Sequence, residues 1–206
     1  TLVTLPPSHA DTVLIAWSTG AAQDSVLISV EILPDGDANP SDNSHVCTIT
    51  ITGPPLSGTY RVGGLGADFL TISEAALELQ QRGMIGDVSL EIAAGLYPEP
   101  LALSAIPGSD AHALTIRRAI DAEGPVRLIA TSGQQMIRLS GVSHVTLEGL
   151  DLEGGVNTLE AVRLDSGASF NTIRNCNLLC SSLEQSSAAG LYVLGGCAGN
   201  LFENLS

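Results

Sequence analysis

The chain has 206 residues, of which 44% are hydrophobic, 3% aromatic and 15% charged, a composition that excludes a disordered chain and favours short strands and turns. The formal net charge of −14 repels polyanions, so we expect no nucleic-acid partner and attribute the acidity to solubility, with cation binding or glycan chemistry as alternatives. No apolar run approaches the roughly 18 to 20 residues that cross a bilayer, which excludes membrane insertion.

The first 52 residues predict three short strands, at 12–17, 25–32 and 45–52. Apolar and polar side chains alternate in the first and third, as in half-buried antiparallel strands. A long polar turn at 34–43 separates the second strand from the third. The motifs LPPS, before the strand that ends at Trp17, and PDGDANPSDNS, before the last strand, resemble the second half of a CARDB-like or related immunoglobulin-like module of bacterial surface proteins. The resemblance implies a partial β-sandwich.

Oxygen-bearing side chains are concentrated in the polar turn. Such groups bind calcium, but the spacing differs from that of an EF-hand, so a solvated turn is the simpler interpretation and calcium remains a weaker alternative. The side chains concerned are Asp35, Asp37, Asp42 and Asn43.

A breaker-rich segment at 53–58 marks the predicted domain boundary, which divides the chain into 1–55 and 56–206. A helix is then predicted at about 72–82. Thr71 or Ser73 suits its N-cap, Glu74 would complete a capping box with Thr71, and Gly83 suits its C-terminal end. We expect its apolar face to comprise Leu77 with Ala76 or Leu79.

A repeat of 26 to 29 residues follows. Leu147 lies 26 residues before Ile173, and Phe202 lies 29 after it. Units this short cannot bury an apolar face alone, so they must stack as a parallel solenoid. The other equivalent positions are Leu150, Cys176 and Leu205; Gly149, Asn175 and Asn204; Ile137, Val162 and Leu191; and Leu139, Leu164 and Val193.

The predicted stacking has consequences at the turn and on the outer surface. Gly149, Asn175 and Asn204 would share a turn with positive φ, and the two Asn side chains would form an amide ladder. Charges of alternating sign would occupy one outward column, comprising Glu148, Arg174 and Glu203.

The segments GTYRVGGLGADFLTISEAALEL, VSLEIAAGLYPEPLAL, HALTIRRAI, SHVTLEGLDLEG and FNTIRNCNLL resemble the N-terminal end of right-handed parallel β-helix proteins of the pectin-lyase-like superfamily. The resemblance spans 57–206 and implies that the short helix covers the first coil. The superfamily includes pectate lyases and polygalacturonases, but also surface proteins without assigned activity, so the fold alone does not decide the function.

The residues that such catalysis requires do not assemble in the sequence. Hydrolases of this superfamily need paired aspartates and a His between two glycines, whereas Asp151 and Asp165 are isolated and His144 stands in VSHV. A lyase needs calcium-binding aspartates and a basic side chain. Arg138 and Arg163 share one outward column, so a basic stripe facing an acidic sugar is an alternative to ordinary solvated side chains. The other candidates for a basic catalyst are Arg117, Arg118 and Arg174.

The remaining reactive side chains indicate no site. Cys47, Cys176, Cys180 and Cys197 contain no CxxC pair, and Cys176 is expected to be a small buried residue. The glycine-rich segment 63–66 lacks the Lys-Ser/Thr of a phosphate-binding loop. The histidines are expected in loops or at the surface: His9, His45, His112 and His144.

We therefore expect an all-β chain without catalytic, cofactor or metal residues of its own. Because it begins at Thr1 without Met and ends at Ser206 without a terminating element, we expect a segment of a longer, secreted or cell-surface bacterial protein. The predicted function is a non-catalytic stalk or a surface that binds polysaccharide or cell-surface glycan. The alternatives are a polysaccharide lyase or glycoside hydrolase whose catalytic coils lie outside the segment, and a structural module without a ligand.

Overall fold

A computed structural model of the chain describes residues 26–31, 44–49, 53–130, 135–154, 160–180 and 189–206. The chain divides into two compact units, Thr1–Gly53 and Pro54–Ser206. In the first unit, β1 (Val26–Glu31) and β2 (Ser44–Ile49) form an antiparallel pair. The predicted strand at 12–17 and the polar turn with Asp35, Asp37, Asp42 and Asn43 lie outside the described residues, as does His9.

The second unit contains one helix and a succession of short strands. In chain order they are β3 (Leu56–Val62), α1 (Ile72–Arg82), β4 (Met84–Ile92), β5 (Gly95–Tyr97), β6 (Leu101–Ser104), β7 (Leu114–Arg118), β8 (Val126–Ala130), β9 (Ile137–Ser140), β10 (Val145–Glu148), β11 (Asp151–Gly154), β12 (Glu160–Asp165), β13 (Thr172–Arg174), β14 (Asn177–Cys180), β15 (Ala189–Val193) and β16 (Leu201–Glu203).

These strands form three parallel sheets. Sheet 1 has the order β3-β4-β7-β10-β13-β16, sheet 2 the order β5-β8-β11-β14, and sheet 3 the order β6-β9-β12-β15. Each successive coil of the chain thus adds one strand to each sheet, which is the architecture of a parallel β-helix and confirms the predicted solenoid. Its right-handed sense remains a prediction. Within the described part of the chain, no helix is long and apolar enough to cross a membrane.

The core of the β-helix consists of inward-facing columns of aliphatic side chains. In sheet 1, Leu147 pairs in register with Ile173, and Ile173 with Phe202. Leu147 and Ile173 are fully buried, while Phe202 is partly buried on the last strand. Leu90 and Ile116 extend the column toward the N-terminus. The predicted interior column is therefore confirmed, as are its counterparts in sheet 3.

Helix α1 packs against β3 and β6, which are the first strands of sheets 1 and 3. Thr71 is its N-cap, and the hydroxyl oxygen of Thr71 accepts a hydrogen bond from the Glu74 N–H at 3.0 Å. The Glu74 carboxylate accepts from the N–H of Leu70 (2.7 Å) rather than from that of Thr71, so the capping box is offset by one residue. Glu99 adds a second cap, because its two oxygens accept from the N–H groups of the first two helical residues at 3.0 Å.

The apolar face of α1 differs from the prediction. Ile72, Ala75, Ala76 and Leu79 are buried, whereas the predicted Leu77 is 52% exposed. The buried residues follow the i, i+3, i+4, i+7 spacing of a single helix face, and Leu77 lies away from that face. The prediction for Leu77 was therefore wrong, while those for Ala76 and Leu79 are confirmed.

The N-cap gives a test of the helix boundary. Thr71→Ala removes the acceptor of the Glu74 N–H and is expected to lower the free energy of unfolding by about 1 kcal/mol. Ser73→Ala, in the first turn of the same helix, is the matched control and should change it by less than about 0.5 kcal/mol. Chemical denaturation of both variants measures the difference, and equal effects would contradict the assignment of Thr71 as the cap.

Candidate functional site

The corner between sheets 1 and 2 is the turn that connects a strand of sheet 1 to the following strand of sheet 2. In the later coils this turn has only two residues, 149–150 and 175–176. Gly149, Asn175 and Asn204 have φ values of 68°, 54° and 49°, the left-handed region that Gly and Asn accept most readily. The Asn204 side-chain amide donates to the side-chain oxygen of Asn175 at 3.1 Å. The predicted turn and its amide ladder are both confirmed, and this corner has a structural role.

The outer face of sheet 1 carries a ladder of charges with alternating sign, one on each strand. The Arg117 guanidinium donates to Glu91 at 2.6 Å, and that of Arg174 donates to Glu148 at 2.9 Å. In register order, the ladder comprises Arg61, Glu91, Arg117, Glu148, Arg174 and Glu203. We refer to these six residues as the charge ladder.

The sequence predicted only the last three members of the charge ladder. The other members could have been found from a recurring tripeptide, which consists of Ser or Thr, an apolar or aromatic residue, and a charged residue. It occurs as TYR at 59–61, SLE at 89–91, TIR at 115–117, TLE at 146–148 and TIR at 172–174. Uneven turns between the early repeats hide this pattern from a search at a fixed period.

The outer face of sheet 3 brings together the two arginines of the predicted basic stripe. Arg138 and Arg163 are neighbours in register, and the Nε atom of each donates to the same Asp165 oxygen at 2.9 Å. Arg163 also contacts Glu160 at 3.3 Å, and its guanidinium lies 5.4 Å from the ring centre of Tyr192. Asp165, expected to be isolated, is thus the centre of an ion-pair cluster that neutralises the stripe.

The pKa of Asp165 reflects two opposing effects. Its side chain is only 5% exposed, and this burial raises the pKa, since it disfavours the charged carboxylate. Hydrogen bonds from Ser140, Arg138 and Arg163 act in the opposite direction and dominate, so the pKa lies well below the ordinary value of 3.8. Asp165 therefore stays charged and paired throughout the neutral and mildly acidic range.

This pairing predicts a pH dependence of stability. A depressed folded-state pKa contributes stability that is present above the unfolded-state pKa and is lost as the pH falls below about 3.8. Asp165→Asn is expected to destabilise the protein at pH 7 and to flatten the loss of stability below pH 4. Denaturation of both proteins from pH 2.5 to 7 measures this. Asp110→Asn, an exposed carboxylate, is the control, and parallel pH curves for wild type and Asp165→Asn would contradict the pairing.

The other candidate residues do not join a common site. Asp151, also expected to be isolated, accepts a hydrogen bond from the Asn177 amide on the next strand. The exposed His144 stacks on Phe170, with ring centres 5.6 Å apart. Cys176 is fully buried, as predicted, and burial raises the pKa of its thiol. The side chains of His45, Cys47 and Cys180 lie outside the described part of the structure.

The described residues contain no group of three or more His, Cys, Asp or Glu side chains that could hold a metal ion. The residues at 63–66 form a bend and turn rich in positive φ. No protein family, curated protein or solved structure matches the chain. The geometry alone therefore defines the candidate surfaces, which are two outer faces whose basic groups are bound to carboxylates of the same molecule.

Proposed function

We propose that the chain is a non-catalytic segment of a secreted or cell-surface bacterial protein, in which the β-helix is a rigid stalk. The observation that carries the proposal is the pairing of its basic side chains. All eight basic residues are arginines, and seven of them form ion pairs with carboxylates of the β-helix unit. These seven are Arg61, Arg82, Arg117, Arg127, Arg138, Arg163 and Arg174.

Four of the eight ion pairs connect neighbouring coils. Arg117 binds Glu91 one coil before it, Arg127 binds Glu153 one coil after it, and Arg174 binds Glu148. Each exposed pair contributes at most about 1 kcal/mol, so the pairs fix register more than they add stability. A surface that ties each coil to the next suits a stiff spacer.

The same pairing disfavours a lyase, because the bound carboxylate stabilises the protonated guanidinium, whereas only the neutral form could remove a proton from a sugar. Arg138 and Arg163 carry two positive charges against the two negative charges of Asp165 and Glu160, so the cluster offers no net attraction to an acidic glycan. The resemblances to pectin-lyase-like β-helices and to CARDB-like modules support an extracellular, glycan-rich setting.

The proposal is tested by incubating the chain with pectate, alginate and neutral polysaccharides, with and without calcium. We expect no rise in ultraviolet absorbance from unsaturated sugars and no new reducing ends. Single-molecule pulling should at the same time show that the coils resist extension until they unfold cooperatively. Product formation that Arg138→Ala abolishes would overturn the stalk proposal in favour of a lyase, and non-cooperative extension at low force would overturn it independently.

A further inference from the structure

The corner between sheets 1 and 2 is uneven in the first coils. Only two residues, 93–94, connect β4 to β5, the same number as at 149–150 and 175–176 in the later coils. The connection from β7 to β8 is longer and spans 119–125, and the segment 63–71 follows β3. A short turn thus lies between two longer segments, which leaves a notch at this corner.

The notch is a cleft of about 280 Å³. Its floor is made of small residues, so side chains do not fill it. These residues are Gly63, Ala93, Ala94, Ala119 and Ala122. The volume is just below the usual range for small-molecule sites of about 300 to 1,000 Å³ and suits a ligand of one or two rings. Methyl groups on the floor offer an apolar surface to the C–H face of such a ring.

The rim of the cleft is charged. Arg61 and Asp121 form an ion pair that joins the two flanking segments across the short turn, and this hydrogen bond holds the pKa of Asp121 below its ordinary value. Glu91 is bound to Arg117, while Glu123 has no hydrogen-bond partner among the described residues and faces solvent.

The charge of the rim selects the ligand. Glu91 and Asp121 are already bound to Arg117 and Arg61, so Glu123 is the one carboxylate of the lining without a basic partner among the described residues. The unpaired charge of Glu123 opposes a uronate and attracts an ammonium group. An apolar floor combined with a polar rim fits a sugar ring better than a linear amine, since a ring has a C–H face and a hydroxyl edge.

We propose that this cleft binds one ring of an amine-bearing sugar, as found in a partly deacetylated glycan. The methyl floor contacts the face of the ring, Glu123 receives the ammonium group, and the pair of Arg61 with Asp121 offers hydrogen-bond partners to the hydroxyls. Sugar binding at this cleft would be a property additional to the stalk role and does not depend on it. A stalk could lack the binding site, and an enzyme could have it at a distance from its catalytic residues.

The test is calorimetric titration of the whole chain with four probes: a glucosamine tetramer, cellotetraose, a galacturonate tetramer and spermidine. We expect the glucosamine tetramer to bind most tightly, with an affinity that falls as salt rises, and no binding of the galacturonate tetramer. Equal affinity for cellotetraose would overturn the role of the amine. Equal affinity for spermidine would overturn the role of the ring, and no binding by any probe would overturn the site.

Variants locate the site. Glu123→Gln removes the free carboxylate and is expected to weaken binding of the glucosamine tetramer about tenfold. Ala94→Leu fills the floor from an exposed position and should abolish binding. Asp110→Asn and Ala102→Leu are the matched controls, since both are exposed and lie outside the cleft. Wild-type affinity in Ala94→Leu, with its fold verified by circular dichroism, would overturn the proposal.

Discussion

Replacing Gly108 by alanine is expected to lower the free energy of unfolding by more than about 3 kcal/mol. Gly108 has a φ of +86°, and a Cβ atom there would lie deep inside van der Waals contact of the Met84 carbonyl oxygen. Both groups belong to backbone that is held in place, since the Met84 N–H donates to the Pro107 carbonyl at 2.8 Å. No flexible side chain can therefore move to relieve the clash of the new Cβ atom. Denaturant titration measures the resulting loss of unfolding free energy.

Gly196 supplies the matched control for this substitution. Its φ of +88° is nearly the same, but nothing lies within 4 Å of the position that a Cβ would occupy. Gly196→Ala should therefore cost only the backbone term of about 1 to 2 kcal/mol. If the two variants lost equal stability, the close approach of the Gly108 turn to the start of β4 would be wrong.

The second large effect is expected in the interior column of sheet 1. Leu147 is fully buried between Ile116 and Ile173, and Leu147→Ala should lower the free energy of unfolding by about 2 to 5 kcal/mol, the range for a buried leucine that leaves a cavity. The measurement is again equilibrium denaturation, with the slope of the transition compared between variants to verify that the same structure unfolds.

An exposed leucine on the same sheet is the control, because it shows whether the loss of stability comes from burial and not simply from replacing a leucine. Leu201 lies on β16, is 48% exposed, and pairs with Thr172, which is on the face of sheet 1 opposite the buried Ile173. Leu201→Ala is expected to cost less than about 1 kcal/mol, because little apolar surface returns to water. A comparable loss in the two variants would mean that Leu147 and Leu201 do not occupy opposite faces of one sheet.

Much of the later β-helix could be predicted from the sequence, because its repeats are nearly equal in length. Two-residue turns at 149–150 and 175–176 keep Leu147, Ile173 and Phe202 in equivalent positions, although the two spacings differ, at 26 and 29 residues. The earlier coils do not follow this spacing, since the long connection at 119–125 places Ile116 31 residues before Leu147. The predicted column of charges consequently missed three members of the charge ladder, although their tripeptides have the same pattern: Arg61, Glu91 and Arg117.

The candidate surfaces could be predicted only in part. That Arg138 and Arg163 share a column follows from the repeat alone. Their neutralisation depends on Asp165, which lies two residues after Arg163 on the same face of β12 and accepts hydrogen bonds from both guanidiniums. The cleft depends on three turns of different length from separate coils, and no local pattern indicates how those turns stand beside one another.

The stacking of coils in parallel register is the central feature of the structure, and NMR of methyl-labelled protein tests it directly. Neighbouring strands lie about 4.8 Å apart, so the Leu147 methyl groups should show strong nuclear Overhauser effects to the methyl groups of both Ile116 and Ile173. These residues are 31 and 26 positions away in the chain, which excludes a local origin of the signal. If Leu147 showed no cross-peak to either isoleucine, the result would contradict the β-helix.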